Sequence, residues 1–204
     1  MAGLRDDLRL RAVALGAVVG AMWLLYIVDL VVPGGGSVIG HGIVPRTLAG
    51  LAGIPVAPLI HAGLQHLAAN TVPLLILGGL VLLRGVREFF FVVLLSVLVA
   101  GAGTWLFGSG NAQHIGASGI VFGLFGYLVL RAAFDRRISS AVLALLVIVV
   151  YGVAMLRSLI PADGISWTAH FFGFLGGFSA ARLRHPKSAI TAEARYRSAA
   201  SDYS

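Results

Sequence analysis

Six apolar runs divide the chain: Ala12–Val32, Leu67–Leu83, Phe89–Phe107, Ile115–Leu130, Ile138–Leu156 and Trp167–Ala181. A hydrocarbon core takes about 20 residues of helix to cross, and lipid offers the backbone no hydrogen-bond partner, so runs of this kind span as helices. The second, fourth and sixth runs are short and need flanking residues to reach across. The pattern predicts an all-α polytopic membrane protein with one six-span domain, residues 1–183, and a polar cytoplasmic tail, residues 184–204. The opening stretch MAGLRDDLRLR puts basic residues before an apolar segment, as a signal peptide does. No clear small-x-small site ends that segment, so it reads as a retained span. The tail from His185 onward, polar and rich in small residues, reads as mobile.

The connections differ in kind. The outer loop 33–66 is long and rich in Gly and Pro, yet it carries scattered Leu, Ile and Val. A loop of that content is expected in the membrane interface rather than in water. The other outer loops, Gly108–His114 and Arg157–Ser166, are short, and no internal repeat stands out.

Composition and charge sharpen this. The chain of 204 residues is 58% hydrophobic and 11% charged, where soluble domains carry about 25% charged residues. The net charge of +7 raises the question of nucleic acid, and its distribution answers it. With the N-terminus placed in the cytoplasm, thirteen of the 15 basic residues fall on inner segments, and only Arg46 and Arg157 lie outside. That bias is the positive-inside signature of six spans with both ends inside. The basic residues then face the anionic membrane surface, and no nucleic-acid partner is called for. With no cysteine, disulfides, zinc–thiolate sites and cysteine nucleophiles are excluded. Metal binding is disfavoured as well: His61 and His66 are five apart, there is no HExxH, and no carboxylate accompanies them. No cofactor is implied.

Polar residues at membrane depth are the informative exceptions. In HAGLQHLAAN, residues 61–70, His66 and Asn70 are four apart and share one helix face. They suit either an interhelical polar contact or hydrogen-bond donation to a ligand. In GASG, residues 116–119, two glycines flank Ser118 at the start of the fourth run. Helix packing by small residues explains them, and so does a nucleophile beside free helix N–H groups. In WTAHFFGFLGG, residues 167–177, His170, Gly173 and Gly177 lie on one face, and the glycines let another helix approach closely. His170 is open to two readings, a structural donor or a base. Taken together, the three groups lie toward one side of the membrane. Serine plus histidine is the minimum nucleophile–base pair, and a histidine, an asparagine and free N–H groups are the parts of an oxyanion hole.

These three motifs together resemble the rhomboid family of intramembrane serine proteases, in order and topology, over the second to sixth spans. The resemblance implies a rhomboid-like six-helix bundle with its active site toward the outer side. It implies that Ser118 is the nucleophile and His170 the general base, a dyad without a carboxylate. It implies that His66 and Asn70, with the Ser118 N–H, hold the oxyanion. Gly116 and Gly119 match the glycines beside the nucleophile, Gly173 and Gly177 those that pack the sixth span on the fourth, and His61 a structural histidine. Phe122 stands where many members have a tyrosine stacked on the base. Two departures are visible: Pro45-Arg46 where many members have Trp-Arg in the first outer loop, and Glu88 later than a glutamate many members carry soon after the second span's glycines.

The implied activity is hydrolysis of a peptide bond in or near the transmembrane segment of single-span membrane proteins, through an acyl-enzyme, with small residues preferred at the cut. A catalytically silent relative that binds or escorts membrane helices is one alternative, and a small transporter another. The filled serine, base and oxyanion positions count against the first. The clustering of polar groups toward one side, rather than at midplane, counts against the second. Among the remaining polar residues, Asp163 reads as a solvated loop residue, and Asp29 as bound to a partner or the interface. His114 reads as an interfacial loop residue, and His41 and His185 as peripheral. A prokaryotic plasma membrane is the expected location. The sequence carries no signal for an oligomeric state.

Overall fold

The computed structural model describes residues 2–31, 38–135, 137–162 and 164–184. Seven α-helices follow one another: α1 Ala2–Val31, α2 Leu48–Gly53, α3 Leu64–Leu82, α4 Val86–Phe107, α5 Ser118–Asp135, α6 Ile138–Arg157 and α7 Trp167–Leu183. Two short 3₁₀ turns, Val38–His41 and Ala57–Leu59, lie in the first long connection. No strand forms among the described residues; pairing is limited to two isolated bridges, Ile43 with His114 and Ala162 with Ile165. Each apolar run has become a helix. Five of them, α1, α3, α4, α5 and α6, are long and apolar enough to cross a membrane. The sixth, α7, has 17 residues and is largely made of small and aromatic ones.

Among the helix boundaries that depart from the apolar runs, three stand out. First, α1 begins at Ala2, not near Ala12, because Leu4, Arg5, Leu8, Arg9 and Leu10 are good helix formers. Arg11 pairs with Asp7 one turn back, at 2.6 Å. Second, α5 starts at Ser118 rather than Ile115, since Gly116 takes φ +106°, which no helix accommodates. Third, the loop read as 33–66 holds the short helix α2 and gives way to α3 at Leu64, so His66 is helical. Thr47 caps α2 through its hydroxyl, which accepts the Gly50 N–H at 3.0 Å.

Helix α5 is the axis of the bundle. Its residues 119–128 are all buried, between α3, α4, α6 and α7. The contact with α7 is closest because glycine removes side chains from it. A Cβ on Gly173 would sit 2.3 Å from the Gly119 carbonyl oxygen, and one on Gly177 1.9 Å from that of Gly123. On its other side, α7 meets α4, where a Cβ on Gly176 would be 2.8 Å from the Leu95 carbonyl oxygen. By contrast α1 and α6 are peripheral. Leu145, Val149, Val150 and Val153 of α6 and Leu24 and Leu30 of α1 are exposed. In water such surfaces would be a liability; in a multi-pass membrane protein they face lipid tails.

The end of the bundle farthest from Ser118 is tied by charge. Arg84, just after α3, donates to Asp135 at 2.7 Å and to Ser140 of α6 at 3.0 Å. Arg131 donates to the other Asp135 oxygen at 2.7 Å and lies 3.7 Å from Glu88. Glu88 also pairs with Arg184 at 3.3 Å and accepts the Tyr127 hydroxyl. The displaced Glu88 therefore joins the start of α4 to the C-terminal parts of α5 and α7.

Candidate active site

The segment leading into α5 is pinned residue by residue. The His114 N–H donates to the Ile43 carbonyl at 2.9 Å and its carbonyl accepts the Ile43 N–H at 3.0 Å. The Gly116 N–H donates to the Ala57 carbonyl at 2.8 Å, and the Ala117 N–H to Nε2 of His61 at 3.3 Å. Val121 makes the first helical bond, back to Ala117. Ser118, as the first residue of α5, therefore has an N–H with no partner inside its helix, at the positive end of the dipole.

Two side chains of α3 stand over this turn. A Cβ on Gly116 would meet His66 Nε2 at 2.6 Å and Asn70 Nδ2 at 3.6 Å, so only glycine leaves them room. His66 and Asn70 are one helical turn apart, and Asn70 donates one amide N–H to the His66 carbonyl at 3.0 Å. Behind them His61 packs edge-on to His66, with ring centres 5.0 Å apart. Since the Ala117 N–H donates to Nε2 of His61, that nitrogen is unprotonated, and Nδ1 carries the proton toward the Leu59 carbonyl 3.3 Å away. Burial, then the neighbouring His66, lowers the His61 pKa to about 4, so the ring stays neutral.

His170 reaches the site from α7 and is buried. Its Nδ1 lies 2.7 Å from the carbonyl oxygen of Ser158, the residue that ends α6. A carbonyl only accepts, so Nδ1 carries the proton and Nε2 is left as the free base. Phe122 stacks flat on the ring, with centroids 4.3 Å apart and planes 5° from parallel. Phe122 lies one turn after Ser118 on the same face of α5, so its ring holds the imidazole against the face that carries Ser118. The adjoining residues touch too: a Cβ on Gly119 would be 3.4 Å from the Ala169 carbonyl oxygen.

The structure thus gathers Ser118, His170, His66, Asn70, Gly116, Gly119, Phe122 and His61 at one end of the bundle, with Gly173 and Gly177 forming the seam below them. An apolar pocket opens beside Gly116 and Gly119, lined also by Ile43, Ala57, Ile120 and Ala169. His41 is exposed and lies apart from the cluster. Asp163 and His185 lie outside the described residues.

Three features were not legible from side-chain chemistry. The partner of His170 is a backbone carbonyl, which has no sequence signature. Arg46 anchors the first loop without a tryptophan next to it in sequence: its guanidinium donates to the carbonyls of Leu106 and Gly108, at 3.1 and 3.0 Å, and its backbone N–H to the carbonyl of Trp105 at 3.0 Å. The third is His114, which lies in its loop as expected but is buried there, 2.7 Å from Ser166 Oγ and 3.3 Å from the Ser109 carbonyl. Burial lowers its pKa, against the opposing effect of the Ser109 hydrogen bond.

This is the build of a multi-pass helical membrane protein with a serine, imidazole and amide cluster at one end. Residues 48–187 match the rhomboid domain family. An uncharacterized protein of Mycobacterium tuberculosis is 40% identical over 169 residues, 78% of this chain and 70% of that protein. A Mycobacterium leprae protein, also uncharacterized, is 37% identical over 172 residues, 79% of this chain and 68% of its own. A Bacillus subtilis protein provisionally named rhomboid protease YdcA is 31% identical over 121 residues, 59% of this chain and 60% of its own. The chain belongs to the rhomboid family, whose members are typically intramembrane serine proteases acting on membrane proteins within the bilayer.

Proposed function

We propose that this protein is an intramembrane serine endopeptidase that cuts single-span membrane proteins in or near their transmembrane segment. The observation that carries the reading is the setting of His170: Nδ1 committed to the Ser158 carbonyl, and the ring stacked on Phe122, one turn from Ser118. Nε2 of His170 takes the proton as Ser118 Oγ attacks the peptide carbonyl. The oxyanion rests on His66, Asn70 and the unpartnered Ser118 N–H. Collapse expels the amine, which takes the proton back from His170 and leaves an acyl-enzyme on Ser118. Water, losing a proton to His170, then attacks the ester; the bond to Ser118 Oγ breaks, Oγ takes that proton from His170, and the acid is released. The apolar pocket beside Gly116 suits a small residue at the cut. All six long helices span, both ends are cytoplasmic by the basic-residue bias, and the site faces outward in a bacterial plasma membrane.

The test is cleavage of a model single-span substrate in liposomes by the wild type and by Ser118→Ala. Cleavage by the wild type alone is expected; equal cleavage by both sinks the reading and leaves a helix-binding relative. Fluorophosphonate capture of Ser118, lost in His170→Ala, tests the dyad. Cysteines introduced at the exposed positions 112 and 165 should label from outside the cell, and labelling only from the cytoplasm overturns the orientation.

A further inference from the structure

Ser166 is the residue that opens α7, and its hydroxyl does not cap it. A serine at that position ordinarily accepts a backbone N–H from the first turn. Here Oγ turns away, to Nδ1 of His114 at 2.7 Å, with a second contact of 3.5 Å to Thr168 Oγ1. The protons can be assigned. His114 Nε2 faces the Ser109 carbonyl at 3.3 Å, which can only accept, so Nε2 carries the hydrogen. Nδ1 is then the acceptor and the Ser166 hydroxyl the donor. Meanwhile the Ser166 carbonyl accepts the His170 N–H at 3.2 Å.

The spacing gives this bond its meaning. His114 precedes Ser118 by four residues, and Ser166 precedes His170 by four. The His114 backbone is fixed by its two-way pairing with Ile43, and its side chain grips the cap of the helix that carries the imidazole. Below this point α5 and α7 meet through glycine, whose bare backbones come close but interlock few side chains to set rotation or register. A polar tie at the site end supplies what the glycine seam lacks.

We infer that His114 is a positioning residue: through the Ser166 hydroxyl it sets the placement of the α7 N-terminus, and hence of His170, relative to Ser118. This rests on the protease reading above. His114 also lines the apolar pocket beside Gly116, yet it makes no hydrogen bond to Ser118 or His170, and it acts on kcat through the base.

Two variants of His114 separate its hydrogen bonds. In His114→Gln the amide reaches the Nε2 position, keeps the Ser109 bond and loses Ser166. In His114→Asn the amide oxygen occupies the Nδ1 position, keeps Ser166 and loses Ser109. Purified full-length protein in liposomes is assayed for substrate cleavage, for the rate of Ser118 labelling by a fluorophosphonate without substrate, and for thermal stability. His114→Gln is expected to lower kcat and labelling rate by about tenfold or more with KM unchanged, since misplacement of ~1 Å costs up to ~10²-fold. Ser166→Ala should show the same loss, Ser166→Thr should recover it, and His114→Asn should stay near wild type. The double variant His114→Gln with Ser166→Ala should be no slower than either single one. Wild-type labelling rates in both His114→Gln and Ser166→Ala overturn the inference. So does a loss that multiplies in the double variant, or one that tracks melting temperature with Asn no better than Gln. A wild type that neither cleaves nor labels fails earlier, at the protease reading, and the inference falls with it.

Discussion

Around Ser118 the polar contacts join imidazoles, an amide, hydroxyls and backbone groups; at the far end of the same helices they join guanidinium groups to carboxylates. His170 is held by the Ser158 carbonyl and a flat phenyl ring, and Ala117 by the neutral His61. Arg84, Arg131 and Arg184 instead converge on Asp135 and Glu88, whose side chains are 10% and 14% exposed. The difference teaches what each end is for. An ion-pair network pins helix ends strongly, but each partner demands its counter-charge. Neutral hydrogen bonds fix tautomers and ring orientation while leaving one lone pair, on Nε2 of His170, unclaimed. The protease reading proposed above, which has the site shuttle a proton and hold a transient negative charge, calls for the second arrangement. The departure of Glu88 from the familiar position loses nothing, because from the first turn of α4 it reaches Tyr127, Arg131 and Arg184 together.

If the two ends divide labour in this way, substitutions at each should register in different measurements. The largest effect belongs to Ser118→Ala and His170→Ala: cleavage falls by at least about 10³-fold with an unchanged melting temperature. Next come His66→Ala and Asn70→Ala, each costing about 10²–10³ in kcat through a lost oxyanion donor, read in the same liposome assay. At the opposite end, Glu88→Ala strips the counter-charge from Arg131 and Arg184 and the acceptor from Tyr127. It should cost roughly 3 kcal/mol of stability, the usual scale for breaking a largely buried pair, while activity per folded molecule holds. A Glu88→Ala protein that keeps its melting temperature but loses kcat would break the comparison.

The smallest effect is one of pH. His61 has its pKa lowered from 6.5 to about 4 in the folded state, chiefly by burial. Between those values the unfolded chain binds the proton and the folded chain does not, so stability rises with pH across this window and is lost as pH falls through it. A melting series from pH 7 to pH 4 should show that decline, and it should be shallower in His61→Gln, whose amide still accepts the Ala117 N–H but does not titrate. Equal slopes in the two proteins would remove His61 from the account.

Much of the bundle was readable in the chain because lipid leaves the backbone few options: each apolar run had to become a helix, and each did. The edges were less readable. Charged residues at positions 5–11 extend α1 because helix propensity does not require apolarity, and α5 starts late because Gly116 must turn. The site residues were readable as types and spacings. His66 and Asn70 share a face at any register of an α-helix, and a glycine stripe beside His170 announces a close neighbour. The role of His114 was not, since a histidine in a short loop looks the same whether it faces water or is clasped between Ile43, Ser109 and Ser166.

The sequence by itself determined the six long helical segments, the membrane class of the protein, the family motifs and the candidate polar side chains Ser118, His170, His66 and Asn70. Those follow from hydropathy, periodicity and local spacing, which are properties of the chain over a few turns. The tertiary structure alone decided which nitrogen of His170 is free, that the Arg46 guanidinium ends on the carbonyls of Leu106 and Gly108, and that His114 reaches the cap of α7. Each of these depends on a backbone carbonyl or a loop brought in from a distance of tens of residues, and a carbonyl is the same in every residue.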